Sequence, residues 1–488
     1  MTLSELIKKY RWSLILGFIY VLPIIIANRL YIDDLGRSAD GYYRLSENGR
    51  PLADAVLHFL SFSPVASDIS PYTLLISVAV IVLSTAYFCE ALNLRSKLAK
   101  TILPIALLIS PNFLENLSYK FDSVTMGLSV AAIVFPIAFS INRSQKVKFA
   151  ITSFFIIISL CLYQASINLI ASIALIEFYI RLTHGYSSIE AIKTIFNRVG
   201  ATVVGYALYS KFIVPLFVIG YYNTNHSDIV SSMGELTRTL DNLIGLSSYM
   251  FMGVGGWLLA ACFIASILIS WTSTAFYFGS SSESIGTKLL CGFMLIASPF
   301  IIIICTFGSL SLLRDPVLHP RVLIGSSGVI LFSFILLCET YYKTIKLLPI
   351  FATVGCFSLS AAYGNTLTGQ SEMERNIAGL ISNDINTLML EGNSGLFVNG
   401  RPEVIPSIKK IKETTPIIQL LIPNNFKEKW VFSNFYLASL GMNYAYVPYG
   451  EGISRMRKAC ETGNMIKRTK YSIGSYGKTI LIDFKKCE

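Results

Sequence analysis

The chain has 488 residues, 53% of them hydrophobic and only 14% charged, with a mean hydropathy of +0.58. A soluble domain carries about 25% charged residues, so a water-soluble globule, a collagen, a coiled coil and a disordered tail are excluded together. The excess of 40 Lys+Arg over 29 Asp+Glu, formally +11, would raise nucleic acid as a partner of a cytosolic protein, but in a membrane protein it records orientation and no nucleic acid is expected.

Lys8, Lys9 and Arg11 precede an apolar run from Trp12 to Ala27. No small-x-small cleavage site follows at Asn28-Arg29-Leu30, so the run reads as an anchor rather than a removed signal. Further apolar stretches lie near residues 71–92, 101–114, 123–141, 149–163, 165–180, 199–219, 243–270, 288–308, 322–340 and 347–362. Together they predict an all-α polytopic membrane body of about eleven transmembrane helices over residues 1–362. Lys and Arg near helix ends are retained in the cytoplasm. With a cytoplasmic N-terminus, the loops of Arg95, Lys97 and Lys100, of Arg143, Lys146 and Lys148, of Arg181, Lys193 and Arg198, and of Lys343 and Lys346 all fall inside. Residues 28–70, 220–242, 309–321 and everything after about 362 then fall outside. The segment 271–287 is assigned to the cytoplasm with almost no positive charge, and a re-entrant stretch there would change the count.

After residue 362 charges and turn residues return, and residues 363–488 read as a separate water-exposed α/β domain. Helical spacing runs from Glu372 to Leu390, while Gly395–Gly400, Ile417–Pro423, Tyr444–Tyr449 and Thr479–Phe484 have the pattern of short strands. This part carries 16 Lys+Arg against 11 Asp+Glu, a surplus that matters beside a membrane surface. Lys409, Lys410 and Lys412, and Arg455, Arg457 and Lys458, would face anionic lipid, anionic glycan or simply water. Trp430, Tyr436, Tyr444 and Tyr446 suit either core packing or stacking on sugar rings. Of nine cysteines, seven lie in or at the ends of apolar segments and serve as small hydrophobes. Only Cys460 and Cys487 sit in the last domain, where an oxidising compartment would permit a disulfide.

The loop after the first span concentrates the chemistry: Arg29, Asp33, Asp34, Arg37, Asp40, Tyr43 and Arg44, then Asn48-Gly49-Arg50-Pro51. Such a loop can be a solvated set of compensating charges. An Asp pair just outside a membrane helix is also where a carboxylate can be partly desolvated and tuned as a base. Pro51 to Phe62 follows as an amphipathic helix for the membrane surface, with Leu52, Val56, Phe59 and Leu60 on one face and Asp54 and His58 on another. Arg314 and Arg321 flank Asp315 and His319 in a short outer loop, where a guanidinium fork could bind phosphate or serve as an interfacial anchor. Lys211 falls inside the run Ala201–Ile219, where an ammonium needs a cavity, a partner or an anionic head group. His58 and His226 lack ligand-spaced partners, so no metal is expected. A hard cation could be recruited by Asp33, Asp34 and Asp122, but none is required.

These features resemble the GT-C class of polytopic glycosyltransferases, and more narrowly the phage-encoded serotype-converting O-antigen glucosyltransferases of the type II glucosyltransferase family. The resemblance rests on Asp33-Asp34-Leu-Gly-Arg37 with Asn48-Gly49-Arg50-Pro51, on Tyr119-Lys-Phe-Asp122, on Tyr163-Gln164-Ala165-Ser166, and on Arg314-Asp315-Pro316 with His319-Pro320-Arg321. It implies transfer of glucose from polyprenyl-phosphate-glucose to an O-antigen sugar of lipopolysaccharide, on the periplasmic face of a bacterial inner membrane, with serotype conversion as the result. It also puts Asp122 and Gln164 among the substrate-binding residues.

Attack of a sugar hydroxyl on the anomeric carbon needs one base, and no second acid when the leaving group is already a stable phosphate. Asp33 or Asp34 is the expected base, and single displacement predicts inversion. Arg29, Arg37, Asp40, Tyr43, Arg50, Asp122, Gln164, Lys211, Arg314, Asp315, His319 and Arg321 are the expected substrate-binding set, and no cofactor is expected. The alternatives are a polytopic carrier or flippase of lipid-linked sugars, which would place its charges near mid-bilayer, and an O-antigen polymerase or ligase, which differs in donor. The acceptor hydroxyl, the anomeric form of the product and the oligomeric state are not legible in the sequence.

Overall fold

Inside a bilayer every backbone N–H and C=O needs an internal partner, and the apolar runs meet that demand as helices. The computed structural model describes residues 1–94, 96, 98–219 and 229–487. Arg95 and Lys97 of the first basic loop, and residues 220–228 with His226, lie outside the described residues. The chain forms two compact units: Met1–Pro23, Tyr43–Phe62 and Ile69–Ala362 in the first, and Ile24–Tyr42, Ser63–Asp68 and Tyr363–Glu488 in the second.

Among the described residues eight helices are long and apolar enough to cross a membrane, nine if Leu3–Lys9 and Arg11–Ala27, bent by 70°, count as one span. About eleven were expected from the sequence. The predicted span 322–340 is the shorter helix Gly325–Glu339. The predicted span 101–114 is not one helix but Ala99–Ile102, a 3-10 turn Leu103–Ile105 and Phe113–Ser118. Pro104 and Pro111 explain the break, since proline removes a helix donor and disfavours the helical backbone before it. The predicted span 243–270 begins at Gly253, after the separate helix Met233–Ser248, and continues to Ser280. Most of the doubtful stretch 271–287 is therefore helical, because the next helix starts at Ile285.

Small residues let the helices approach closely. A Cβ added to Gly127 would lie 2.8 Å from Ser77 Cα, so the Tyr72–Ala91 and Ser123–Ser140 helices are in near-backbone contact. Arg198, assigned above to a basic loop, is instead fully buried within the helix Ser188–Leu208. Its Nε donates to Glu177 Oε2 at 3.1 Å, its Nη1 to Ser140 Oγ at 2.8 Å and Thr152 Oγ1 at 2.6 Å, and its Nη2 to the Ile137 carbonyl at 3.3 Å. A buried ion needs partners for its donors, and these four hydrogen bonds tie four helices together.

The second unit is built on a five-stranded sheet in the order β2-β1-β5-β4-β3, with β1 Gly395–Asn399, β2 Ala445–Tyr446, β3 Met465–Lys467, β4 Ser472–Tyr476 and β5 Thr479–Asp483. β1 runs parallel to β2 and β5, and β3, β4 and β5 are antiparallel. Alternation along the strands divides two cores. Leu396, Val398, Ile480 and Ile482 pack with Ile377, Ile381 and Ile385 of the helix Leu348–Thr387. Phe397 and Leu481 pack with Met456 and Ala459 of the helix Tyr449–Glu461. The predicted strand Ile417–Pro423 is corrected to a helix, Pro416–Leu421, with Pro416 at its first position, where proline's missing donor costs nothing. Cys460 and Cys487 form a disulfide.

Candidate active site

The acidic motif belongs to the second unit. Asp33 and Asp34 open the short helix Asp33–Asp40, and their carboxylates fall in its first turn, where the helix dipole favours negative charge. Ile32 just before them has φ +44°, a conformation that a β-branched residue avoids and that concentrates at functional sites. Asp34 is fully buried and accepts the Tyr31 N–H at 3.1 Å through Oδ2, while Asp33 is half-buried. Arg37 is buried on the same helix, and Asp40 is exposed at its end.

Leu35 from this helix enters the core with Ile377, Ile381 and Leu437. Tyr31 donates its hydroxyl to the Leu421 carbonyl at 2.7 Å. Arg29 forms a buried ion pair with Glu374 at 2.8 Å and donates to Ser371 Oγ at 2.9 Å and the Pro423 carbonyl at 2.9 Å. Glu374 in turn accepts from Gln370 at 2.7 Å and from the Asn425 N–H at 3.1 Å. The Arg29 guanidinium thus holds the loop in its own unit.

The first unit gathers the other motifs. Arg50 donates through Nε to Gln164 Oε1 at 2.6 Å, and its guanidinium carbon lies 4.6 Å from the centroid of the Tyr163 ring. Gln164 Nε2 donates to the Asn48 carbonyl at 2.7 Å and to the Tyr209 hydroxyl at 3.1 Å, and that hydroxyl donates to the Gly49 carbonyl at 2.8 Å. Gly49 has φ +77°, and a Cβ there would lie 2.6 Å from the Tyr209 oxygen. Only glycine combines that backbone with that contact. Arg50 has no carboxylate partner among the described residues, so its fork is available to an outside anion.

Tyr163 leads to the second arginine by donating its hydroxyl to the Arg321 carbonyl at 3.4 Å. Arg321 Nη1 bonds the Tyr119 hydroxyl, and the guanidinium carbon is 5.1 Å from that ring's centroid. Its backbone is held by Glu115, which accepts the Arg321 N–H at 2.9 Å, and by Asn116, which donates to the carbonyl at 3.1 Å. His319 Nδ1 lies 3.5 Å from the fully buried Glu115. Four sequence-distant motifs therefore meet: Asn48-Gly49-Arg50, Tyr119, Tyr163-Gln164 and His319-Pro320-Arg321. Cations on aromatic faces beside amide and hydroxyl groups suit a phosphate attached to a sugar.

Other expected residues have different settings. Arg314 and Asp315 are drawn to the helix Met233–Ser248, where Arg314 lies 3.4 Å from Glu235 and Asp315 lies 3.3 Å from Arg238. The Ser231 N–H and hydroxyl, and then the two arginines, hold the Glu235 carboxyl below its ordinary range. Asp122 is buried at the N-cap of Ser123–Ser140 without a side-chain cap bond. Tyr43 packs on His58 with ring centroids 3.8 Å apart and shares a 2.6 Å hydrogen bond with Ser61. The predicted surface helix is Pro51–Ser61; Leu52 and Phe59 of the face expected on the membrane are exposed, and Ala53 and Leu57 are buried. Lys211 is exposed in a π-turn, Tyr209–Ile213, whose first residue points inward.

Sequence reasoning missed Glu115, Tyr209 and Glu374. An acid at the end of an apolar run signals Glu115. Tyr209 carries no signal of its own, because only the π-turn turns it toward Gly49. Among the described residues, Cys460, Asp483 and Cys487 are grouped closely enough to hold a metal, and the two cysteines are bridged.

Comparison with known proteins gives two findings. The sequence pattern of the family described as glucosyl transferase GtrII matches residues 22–332. A protein of Salmonella phage P22, described as an uncharacterized 55.3 kDa protein in the gtrB 5′ region, is 29% identical over 485 residues, covering 96% of each chain. No solved structure matches.

Proposed function

The chain belongs to the GtrII glucosyl transferase family, and on that premise we propose that it moves glucose from polyprenyl-phosphate-glucose to an O-antigen sugar at the periplasmic face of the inner membrane, with inversion and serotype conversion. Two arginines, Arg50 against Tyr163 and Gln164 and Arg321 against Tyr119, linked by the Tyr163 hydroxyl on the Arg321 carbonyl, carry this reading, since they suit a phosphate-and-sugar site drawn from four distant motifs.

In this mechanism the two guanidiniums take up charge as the glycosyl–phosphate bond breaks. Within the second unit the half-buried Asp33 is the proposed base for the proton of the attacking hydroxyl, and the buried Asp34 holds the strained turn on which it stands. The hydroxyl oxygen bonds the anomeric carbon from the face opposite the phosphate, which leaves as the polyprenyl phosphate. Phosphate is a sufficient leaving group, so the reaction needs no cofactor. The second unit holds the acceptor glycan.

Eleven crossings, with the N-terminus cytoplasmic and the second unit periplasmic, accompany this reading. The broken segment runs antiparallel to Gly325–Glu339 and the turn before it by three contacts: Ser96 N–H on Glu339 at 3.0 Å, Ser110 with Ser326 at 3.1 Å, and Asn116 on the Arg321 carbonyl at 3.1 Å. That path supports counting it as a crossing. The Cys460–Cys487 disulfide fits an oxidising compartment. The carrier reading draws less support from the buried Arg198–Glu177 pair, whose guanidinium is bonded to Ser140, Thr152 and the Ile137 carbonyl of neighbouring helices.

The test is transfer in lipid with polyprenyl-phosphate-glucose and isolated O-antigen. Asp33→Asn is expected to lose at least 100-fold in rate, on the scale of about 10²–10⁴-fold for a general base. Unimpaired transfer in Asp33→Asn and Asp34→Asn at normal protein levels would remove the base assignment, and no transfer by folded wild type would remove the donor.

A further inference from the structure

A second feature lies at the far end of the first unit. Tyr119 of the candidate site precedes the Ser123–Ser140 helix, and about 24 Å along that helix from Ser123, at 1.5 Å per residue, Phe139 lines a cavity of about 460 Å³. Tyr87, Glu90, Asn142 and Arg143 line it as well.

Three observations define what this cavity suits. Arg143 is exposed, its guanidinium carbon lies 5.7 Å from the Phe139 ring centroid, and no carboxylate pairs with it among the described residues. Glu90, the acid in the wall, is paired with Lys9 Nζ at 2.7 Å and with the Tyr10 hydroxyl, both on its Oε1, and not with Arg143. From the cavity an aromatic track leads along the helix surfaces: Tyr87 stacks on Phe135 and Phe135 on Phe139, both with centroids 5.7 Å apart. Phe135 and Phe139 are 39% and 41% exposed, on helices apolar enough to face lipid.

A cavity of mixed polar and apolar lining with an arginine open to anions, continued by an apolar aromatic track, matches an amphiphile rather than a soluble ion. We propose that this end of the bundle binds one membrane lipid through its phosphate, with the phosphate on Arg143 and Asn142 and the first part of the acyl or prenyl chain on Tyr87, Phe135 and Phe139. It is separate from the donor site, and it does not depend on the glucosyl transfer reading. A glycerophospholipid and a polyprenyl phosphate share the required chemistry.

The experiment is native mass spectrometry of the full-length protein in detergent with added phosphatidylglycerol, read as lipid retained per chain. One retained lipid is expected, with retention about tenfold weaker in Arg143→Ala, as for loss of a charge-assisted hydrogen bond. Arg143→Lys should restore part of it, Phe139→Ala should weaken it, and Lys146→Ala, exposed at the same end but off the cavity, should leave it unchanged. Competition by polyprenyl phosphate at lower concentration would identify the carrier lipid as the occupant, and its failure would identify bulk phospholipid. Equal retention by wild type and Arg143→Ala, both with wild-type melting, would overturn the proposal. So would displacement of the lipid by glycerol 3-phosphate at matched concentration, since a headgroup alone would then suffice.

Discussion

Gly49→Ala tests whether the Arg50 cluster acts as a unit. At φ +77° an L-residue pays about 1–2 kcal/mol of backbone strain. The new methyl carbon would sit 2.6 Å from the Tyr209 oxygen, 3.2 Å from Val218 Cγ2 and 3.3 Å from Gln164 Nε2, so the hydroxyl must leave and its hydrogen bond to the Gly49 carbonyl is lost, worth about 1 kcal/mol. If Arg50 must sit against Gln164 for the donor phosphate to be held, the combined 2–3 kcal/mol enters the transition-state barrier as a loss of roughly 30- to 150-fold in kcat/KM. The assay is glucosyl transfer at matched protein levels, together with Tyr209→Phe and the double variant. Removing the hydroxyl relieves part of the clash, so the double variant should lose less than the product of the two single losses. Less than a threefold loss in Gly49→Ala, or strictly multiplicative losses, would refute the coupling of Gly49, Tyr209 and Arg50.

Two further outcomes concern the second unit. Glu374→Ala leaves Arg29 buried without its counter-charge, and about 3–5 kcal/mol of stability should be lost, read as a lower melting temperature and lower yield of folded protein. Tyr471 is pushed above its ordinary value of 10.0, first by burial and then by its hydrogen bond to Asp384, and burial raises Tyr436 as well. A folded value raised above the unfolded one stabilises fully below pH of about 10 and is lost as pH rises through the folded value. Alkaline melting should therefore steepen above pH 10, and Tyr471→Phe should flatten it; a tyrosinate absorbance that titrates without any unfolding would contradict the burial argument.

The sequence made the membrane body legible because hydropathy over about 20 residues reports the helix directly. It failed where proline interrupts an apolar run, at Pro104 and Pro111, since the buried segment stays as apolar as a regular span while its backbone does not. In the second unit the strand at 395–400 and the helix after Glu372 were legible from periodicity. Ile417–Pro423 misled because a short apolar run fits strand or helix equally, and Pro416 at the first helical position decided it. Of the site, Arg50, Gln164 and Arg321 were recognisable by residue type and motif. Their meeting was not, because it depends on Tyr209 and on a π-turn that no local pattern announces. Arg29 has the residue type of a phosphate ligand and a structural partner in Glu374, and only the fold separates these roles.

Composition draws a boundary near residue 362, yet residues 24–42 and 63–68 group with 363–488, and this has a consequence for catalysis. The helix that carries Asp33 and Asp34 spans only Asp33–Asp40, too short to persist on its own. It is held by Leu35 in the core with Ile377, Ile381 and Leu437, by the Tyr31 hydroxyl on Leu421, and by Arg29 on Glu374, all contacts with residues beyond 362. The second unit therefore frames the acidic motif itself. Truncation after residue 362 should abolish transfer even to a small acceptor that needs no extended glycan contact, and should expose the 24–42 segment to protease. A truncated protein that still inserts and transfers glucose to a small acceptor would show that the acids are held by the membrane body alone, and that the C-terminal unit serves only the acceptor.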